Sequence, residues 1–353
     1  MENDTATVTV IIPTYRRPEL LKRAIRSVQN QTYKNLKICV YDNASGDETE
    51  SVVTMLAKDD PRISYYCQPK NIGALANFDF GMSRVATPYF SFLSDDDVLL
   101  PGFYTTVLEG FECHPDAMFS AGSTLFVNVD TRKVVMQELY GWTRDGYFPY
   151  PESFVRFLEE PRGITWTAVL FRREILDQMG GFCMEVGAPM DLDFELRIAA
   201  RFPYVVSKKP CAIYTIHKAS YSLSGYSDYS YFWPGWLKMI SNITTDDRIP
   251  SDLRACADRI LTKRLKHNLF VRGLGLIRYT KFKSAYEVAD ILRNDFHAPV
   301  EHLLVKGLCW SCKNVPLAHA LFLGAFGAGE AFAAAGSRKT KTQGSEYVKY
   351  LDM

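Results

Sequence analysis

The chain has 353 residues, enough for one large domain or a domain with an appendage, and is 47% hydrophobic and 23% charged, as a globular protein with a substantial core is. A formal net charge of +1 and the lack of a basic stripe exclude a general polyanion binder and a nucleic-acid partner. The eight cysteines are scattered, several within apolar runs, and the opening MENDTATVTV is polar and acidic, so the expected setting is reducing and cytoplasmic, without a secretory leader.

In chain order, ATVTVIIPTY reads as a buried strand ending near Pro13, and RPELLKRAIRSVQNQ as a helix with Leu20, Leu21, Ala24, Ile25 and Val28 at helical spacing. NLKICVYDNAS is a second strand breaking off at Asp42. A helix over DETESVVTMLAKD, a strand over ISYYCQ, a helix over GALANFDFGMSRV and a strand over YFSFL follow. This alternation predicts a parallel sheet with helices on its faces, whose ligands bind beyond the carboxyl ends of the strands. A strand is expected over AMFSAGSTLFVNVD, a loop or insert over 136–162, a strand over Thr165–Phe171, a short helix closed by Gly180 and Gly181, and a helix over PMDLDFELRIAARFP. Beyond about Tyr221 the chain reads as mostly helical, and the last stretch, GSRKTKTQGSEYVKYLDM, as flexible.

YFSFL runs straight into Asp95, Asp96 and Asp97. Adjacent like charges repel unless something positive lies among them, so the triplet is either a solvated acidic turn or a cation site at the end of a buried strand. Pro13 to Tyr15, Asp42 and the triplet all fall at the same sheet edge, which favours the cation site. Asp191 and Asp193 open a helix, where acids also fit on electrostatic grounds alone. Asp193 and Arg197, at i and i+4, read as a structural pair. CWSC at Cys309 to Cys312 has redox or half-zinc spacing, with no second pair to complete either site.

The segment VTVIIPTYRRPELLKRAIRSVQNQTYKNLKICVYDNASGDET resembles the amino-terminal signature of the inverting family 2 glycosyltransferases of GT-A fold. SDDDVLLP is similar to their metal-binding acid motif, and GGFCMEVGAPMDLDFELRIA to the segment bearing their catalytic base; the likeness covers roughly residues 7–220. It implies a Rossmann-like, mostly parallel sheet flanked by helices. A glycosyltransferase domain would occupy 1–225, with a nucleotide-sugar half to about 100 and an acceptor half beyond, and a helical region would fill 226–353. It implies a Mn2+- or Mg2+-dependent transfer of a sugar from a nucleotide-diphosphate donor to a hydroxyl acceptor, with Asp191 as general base in a single displacement. Pro13, Thr14, Tyr15, Asp42, Asn71 and Asp95 would border the nucleotide sugar, Gly73 lies in the Asn71 loop, and Asp96, Asp97 and His217 would serve the metal. An acceptor-only carboxylate at Asp42 suits the imide N–H of uracil or thymine, which favours UDP- or dTDP-type donors. Two departures stand out: Ser94 occupies the position where the family commonly has an acid, and Met190 the place of a glutamate.

Trp166 reads as a core residue before an acceptor platform. VPLAHALFLGAFGAGEAFAAAG, 315–336, is apolar over about the length of a membrane span, but its composition favours a packed or membrane-touching helix. The aromatic cluster Tyr229, Tyr231, Phe232, Trp233 and Trp236 suits either a junction between the two parts or a bilayer interface. Surface-glycan synthesis on a glycan or lipid-linked acceptor, at the inner membrane face, is the expected role. The rivals are a nucleotidyltransferase, disfavoured because PTYRR stands where a glycine-rich phosphate loop belongs, and a degenerate glycan- or membrane-binding protein, disfavoured by the intact Asp96 and Asp191.

Overall fold

The computed structural model describes residues 7–139, 145–160, 164–217, 229–325 and 345–353. It divides the chain into two compact units, residues 1–220 together with 340–353, and residues 221–339.

The first unit is built on a 10-stranded sheet. Its leading half is β1 (Val8–Thr14), α1 (Pro18–Gln29), β2 (Leu36–Asp42), α2 (Thr49–Ala57), β3 (Ile63–Cys67), α3 (Ala74–Ser83) and β4 (Tyr89–Phe92), the alternation the sequence predicts. β3, β2, β1 and β4 lie side by side in parallel. β1 is buried along its whole length, which is why it reads as a continuous β-branched run and not as an alternating one. α1 starts with Pro18 in its first turn, where no N–H is needed, and buries Leu21, Ala24, Ile25 and Val28. Each large apolar side chain so covered contributes about 1.5–3 kcal/mol. α3 packs closely against β1 because Gly81 is bare: a Cβ there would lie 2.6 Å from the Ile11 side chain.

The second half is mixed. β5 (Val98–Leu99), α4 (Phe103–Cys113), β6 (Phe119–Asn128), β7 (Lys133–Gln137), β8 (Gly146–Phe148), α5 (Glu152–Glu159), β9 (Val169–Arg172), α6 (Glu174–Met179), α7 (Met190–Ala199) and β10 (Tyr204–Ile216) complete the unit. The sheet order is β3-β2-β1-β4-β9-β6-β10-β5. β6 and β10 pair in parallel, while β9 pairs antiparallel with both β4 and β6. The region expected as a loop between 136 and 162 instead holds β8, α5 and the end of β7. Of the strand expected over Thr165–Phe171, Val169–Phe171 lie in β9, while Trp166–Ala168 form a 3-10 turn before it. α6 ends on Gly180 at φ 73°, as its glycine pair predicts.

The final residues are not a loose tail. Ser345–Asp352 form a 3-10 helix in the first unit, and Val348 and Leu351 join a buried cluster with Val98, Leu100, Leu125, Val127, Val134 and Ile213. Arg132 holds the segment by a two-pronged contact with Asp352 at 2.7 and 2.8 Å. Residues 336–344 of the tail stretch lie outside the described residues.

The second unit carries helices Tyr229–Thr244, Ser251–Arg278, Phe282–Asn294 and Pro299–Asn314, and residues 316–325 are helical. Its interior includes Leu261, Leu265, Leu269, Val288, Leu292 and Val305. Cys309 and Cys312 are buried free thiols of this core. Of the apolar stretch 315–336, the described part is more exposed than packed, with Leu317 and Leu321 open to solvent; residues 326–336 lie outside the described residues, as do the side chains of Tyr229, Tyr231 and Phe232. No helix among the described residues is long and apolar enough to cross a membrane.

Candidate functional site

The polar ends of β1, β2 and β4 converge at one sheet edge. The reason for the acid triplet's position lies in β5, which pairs antiparallel with β10, Val98 opposite Ile213. Reading backward from Val98 and forward from Ile213 brings Asp96 and Asp97 beside Thr215 and His217. The Thr215 hydroxyl donates to the Asp96 carbonyl at 2.7 Å, and His217 Nε2 lies 3.0 Å from Asp96 Oδ2.

The three acids face three ways. Asp95 is buried and accepts from the Thr14 hydroxyl at 2.8 Å and from Arg17 Nη1 at 3.2 Å. Burial first, then the charge of Asp96, pushes its carboxyl up to about 6, against the pull of Arg17. Asp96 turns outward, its Oδ2 3.0 Å from both Arg17 Nη1 and His217 Nε2. Asp97 turns inward at 1% exposure. Its Oδ1 accepts the Thr215 N–H and its Oδ2 the Thr167 hydroxyl, each at 2.9 Å. Arg23 reaches the Asp96 carbonyl and adds a buried positive charge near Asp96 and Asp97. The positive partners that three adjacent acids require are therefore Arg17 and Arg23, both on or beside α1. The doubled arginine of PTYRR is the signal that marks Arg17, and no sequence signal marks Thr167 or Thr215.

The expected nucleotide loops are knitted together. Pro13 and Thr14 end β1 opposite Tyr41 and Asp42. Tyr15 is exposed at 38%, with the Arg16 guanidinium 5.2 Å from its ring centre. Arg16 is bound to Ser45 through both its N–H and its Nε. Asp42 is buried and caps its own loop: Oδ1 accepts from the N–H and hydroxyl of Ser45, and Oδ2 from the Tyr65 hydroxyl at 2.6 Å. Asn71 is exposed; its side-chain oxygen accepts from Asn43 at 3.1 Å and from Gly73 N–H at 2.9 Å, and Gly73 sits at φ 89° where glycine is favoured.

Asp191 is half-buried in the first turn of α7, where Oδ1 accepts the Leu192 N–H at 2.7 Å. Burial raises its carboxyl above the ordinary aspartate range. Asp193 points away into the protein, wholly buried, and Arg197 Nε meets it at 2.8 Å, so the structural pairing holds. Trp166 packs among Phe78, Phe92 and Phe182, and Phe182 in turn on Phe194 of α7. This aromatic wall ties the strand that leads to the triplet to the helix that carries Asp191. Trp166 is thus mainly a packing residue, as expected.

A divalent ion fits the outward face of Asp96. One carboxylate oxygen and one imidazole nitrogen converge there, a mixed donor set that suits Mn2+ better than Mg2+. Among the described residues no group of three or more His, Cys, Asp or Glu is placed to hold a metal unaided, so an ion here needs oxygens from a ligand and water.

Residues 9–180 match the family model described as glycosyl transferase family 2. This domain belongs to glycosyl transferase family 2. Over 103 residues, 29% of this chain and 33% of the relative, the protein is 43% identical to GalNAc(5)-diNAcBac-PP-undecaprenol beta-1,3-glucosyltransferase of Campylobacter jejuni. Over 123 residues, 35% of this chain and 38% of the relative, it is 30% identical to an uncharacterized glycosyltransferase of Haemophilus influenzae. The matched part thus spans little more than a third of these curated relatives. Among solved structures, S. aureus TarS 1–349, also solved with UDP-GlcNAc, is similar in fold, with a TM-score of 0.60 at 16% and 15% identity, over 87% of this chain and 91% of that one. The mannosyltransferase PcManGT from Pyrobaculum calidifontis, in complex with GDP-Man and Mn2+, has a TM-score of 0.57 at 18% identity, over 98% and 85%. The family-2 domain therefore has the GT-A-like fold that its sequence implies.

Proposed function

We propose that the family-2 domain transfers a sugar from a nucleotide-diphosphate donor to a hydroxyl acceptor by single displacement with inversion. The observation that carries the reading is the meeting of Asp96 and His217, 3.0 Å apart, at the ligand-binding edge of the sheet. These two residues would hold Mn2+ or Mg2+, which supplies charge neutralisation for the departing diphosphate. Arg17, which holds Asp95 and Asp96, would give the donor phosphates a positive partner beside the acids. Thr14 and Asp95 position the ribose side, Tyr15 offers its exposed ring to the base, and Asn71 closes the loop beside the donor. Asp42 shapes the base pocket; its Oδ2 accepts from the Tyr65 hydroxyl and the Cys67 thiol, and an imide N–H would take the place of the weaker thiol donor. We assign Asp97 to holding the triplet loop, in place of the ligand role that the resemblance implied.

Asp191 takes the proton from the attacking hydroxyl. Burial favours a basic carboxylate, and the helix start keeps it ionisable. Trp166 lines the acceptor side with what its packing leaves uncovered. A uridine donor is supported by the UDP-GlcNAc of the TarS structure, and a lipid-linked glycan acceptor by the undecaprenol-linked substrate in the name of the Campylobacter relative. Such an acceptor would put the enzyme at the inner face of a membrane.

The test is a panel of uridine, guanosine and thymidine diphosphate sugars with Mn2+, read as nucleoside diphosphate release and the anomeric configuration of the product. Release of pyrophosphate instead, or a retained anomeric configuration, overturns the reading.

A further inference from the structure

Behind Asp191 the fold collects two more carboxyls that sugar transfer leaves without a role. Asp191 and Glu195 stand at i and i+4 on α7 and so share one face of the helix. Glu138, which follows β7, bears on Glu195 from a second element, and Glu160 bears on Glu138. Glu195 is 1% exposed and Glu138 6%. The two grip adjacent residues at the foot of the Trp166 turn. Glu138 Oε1 accepts the Thr165 N–H at 3.0 Å and its hydroxyl at 2.6 Å, and the Ile164 backbone lies against Glu195. Two buried carboxylate oxygens here lack a hydrogen-bond partner among the described residues, Glu138 Oε2 and Glu195 Oε1, and the Thr124 hydroxyl borders Glu138. Arg197, the base of α7, is engaged by Asp193 and the Gly181 carbonyl.

A buried carboxylate oxygen without a donor is costly, and neighbouring carboxylates resist ionising together. A proton placed between two of them removes one charge and turns an orphan acceptor into a donor. Two such oxygens with a hydroxyl beside them also suit a bound water.

We propose that Glu138 and Glu195 share a proton at neutral pH, directly or through a bound water, and that this arrangement leaves Asp191 to carry its negative charge at the reacting end. Glu138 and Glu195 are then positioning residues. They hold the Ile164–Thr165 segment and keep a second full charge from settling beside Asp191. Burial supports the assignment, pushing Glu138 up to about 7 and Glu195 well above the ordinary glutamate range. The consequence for catalysis rests on the reading of Asp191 as the base; the shared proton itself does not.

Infrared spectroscopy of the whole protein at pH 7 tests the shared proton. The expected result is a protonated-carboxyl band that shifts in deuterated solvent and is lost in E138Q/E195Q. It should persist in D191N, so a failure of the base assignment is distinguishable from a failure of this one. Both glutamates are raised above their unfolded value of 4.5, so their contribution to stability is full below that pH and is lost as pH rises, for Glu138 through about 7. The fall of Tm from pH 5 to pH 8 should therefore flatten in E138Q/E195Q, while E195Q alone keeps its turnover at pH 7 and E195A loses it. Absence of the band in the unaltered protein, a band unchanged in the double variant, or an unaltered slope of Tm with pH each overturns the proposal. The unaltered protein alone suffices for the first of these should the variants not fold.

Discussion

Replacing Asp97 separates support of the triplet loop from ligation of a cation. Its two oxygens accept the Thr215 N–H and the Thr167 hydroxyl at 2.9 Å, at 1% exposure. Asp97→Ala strands both donors in a buried place, at about 1–3 kcal/mol for each, so the expected loss is roughly 3 kcal/mol in total. For a domain of this size that is a fall in Tm of about 6–12 °C. Asp97→Asn keeps the shape: the amide oxygen accepts the Thr215 N–H, and the amide nitrogen donates to the Thr167 hydroxyl once that rotates. Its expected cost is under about 1 kcal/mol, with sugar transfer and its half-maximal Mn2+ concentration unchanged. Asp96→Asn should instead lose the Mn2+ response with the fold intact. The assay is a thermal melt paired with a Mn2+ titration of donor turnover for each variant. A folded Asp97→Asn protein whose Mn2+ requirement rises many-fold would refute the reasoning and return Asp97 to the cation.

Other expectations follow from single contacts. Asp191→Asn should bind donor normally, seen by calorimetry, and lose about 10²–10⁴-fold in transfer, the worth of a positioned base. Arg197→Met removes the guanidinium that meets the wholly buried Asp193 charge and should cost about 3–5 kcal/mol in denaturant melts, much of it recovered by Asp193→Leu in the same chain. Gly81→Ala forces a methyl against Ile11 and Tyr41 at the α3–β1 contact and should cost about 1–3 kcal/mol by the same measurement. Asp60, held down to about 2 chiefly by its bond to Arg62, contributes stability above its unfolded value of 3.8 that disappears as pH falls through about 2. Asp60→Asn should remove that part of the acid melting curve, followed by Tm between pH 2 and pH 5.

The alternation from Val8 to Phe92 was legible because each element carries its own local signal: β-branched runs for strands, four-residue apolar spacing for α1, polar loops between. In the mixed half β6, α6 and α7 were legible in the same way, but β8 has three residues and β7 five, too short for a period to register. The last residues misled through their charged lead-in, although Val348 and Leu351 stand three apart as a docked turn would place them. At the site, the triplet, Asp191 and the Asp193–Arg197 pair could be marked from sequence. Their partners could not, since Thr167 and Thr215 meet Asp97 across 70 and 118 residues of chain. Glu195 lies in PMDLDFELRIA beside Asp191, but only the approach of Glu138 from another element gives it meaning.

The cover formed by Val348 and Leu351 has a practical side. Val98 and Leu100, which it shields, come directly after the three acids. Trimming the protein before Ser345, where a lysine-rich stretch invites it, would uncover the strand that aims Asp96. Loss of metal response after such a cut would then report a loosened hinge far along the polypeptide, and not a missing ligand.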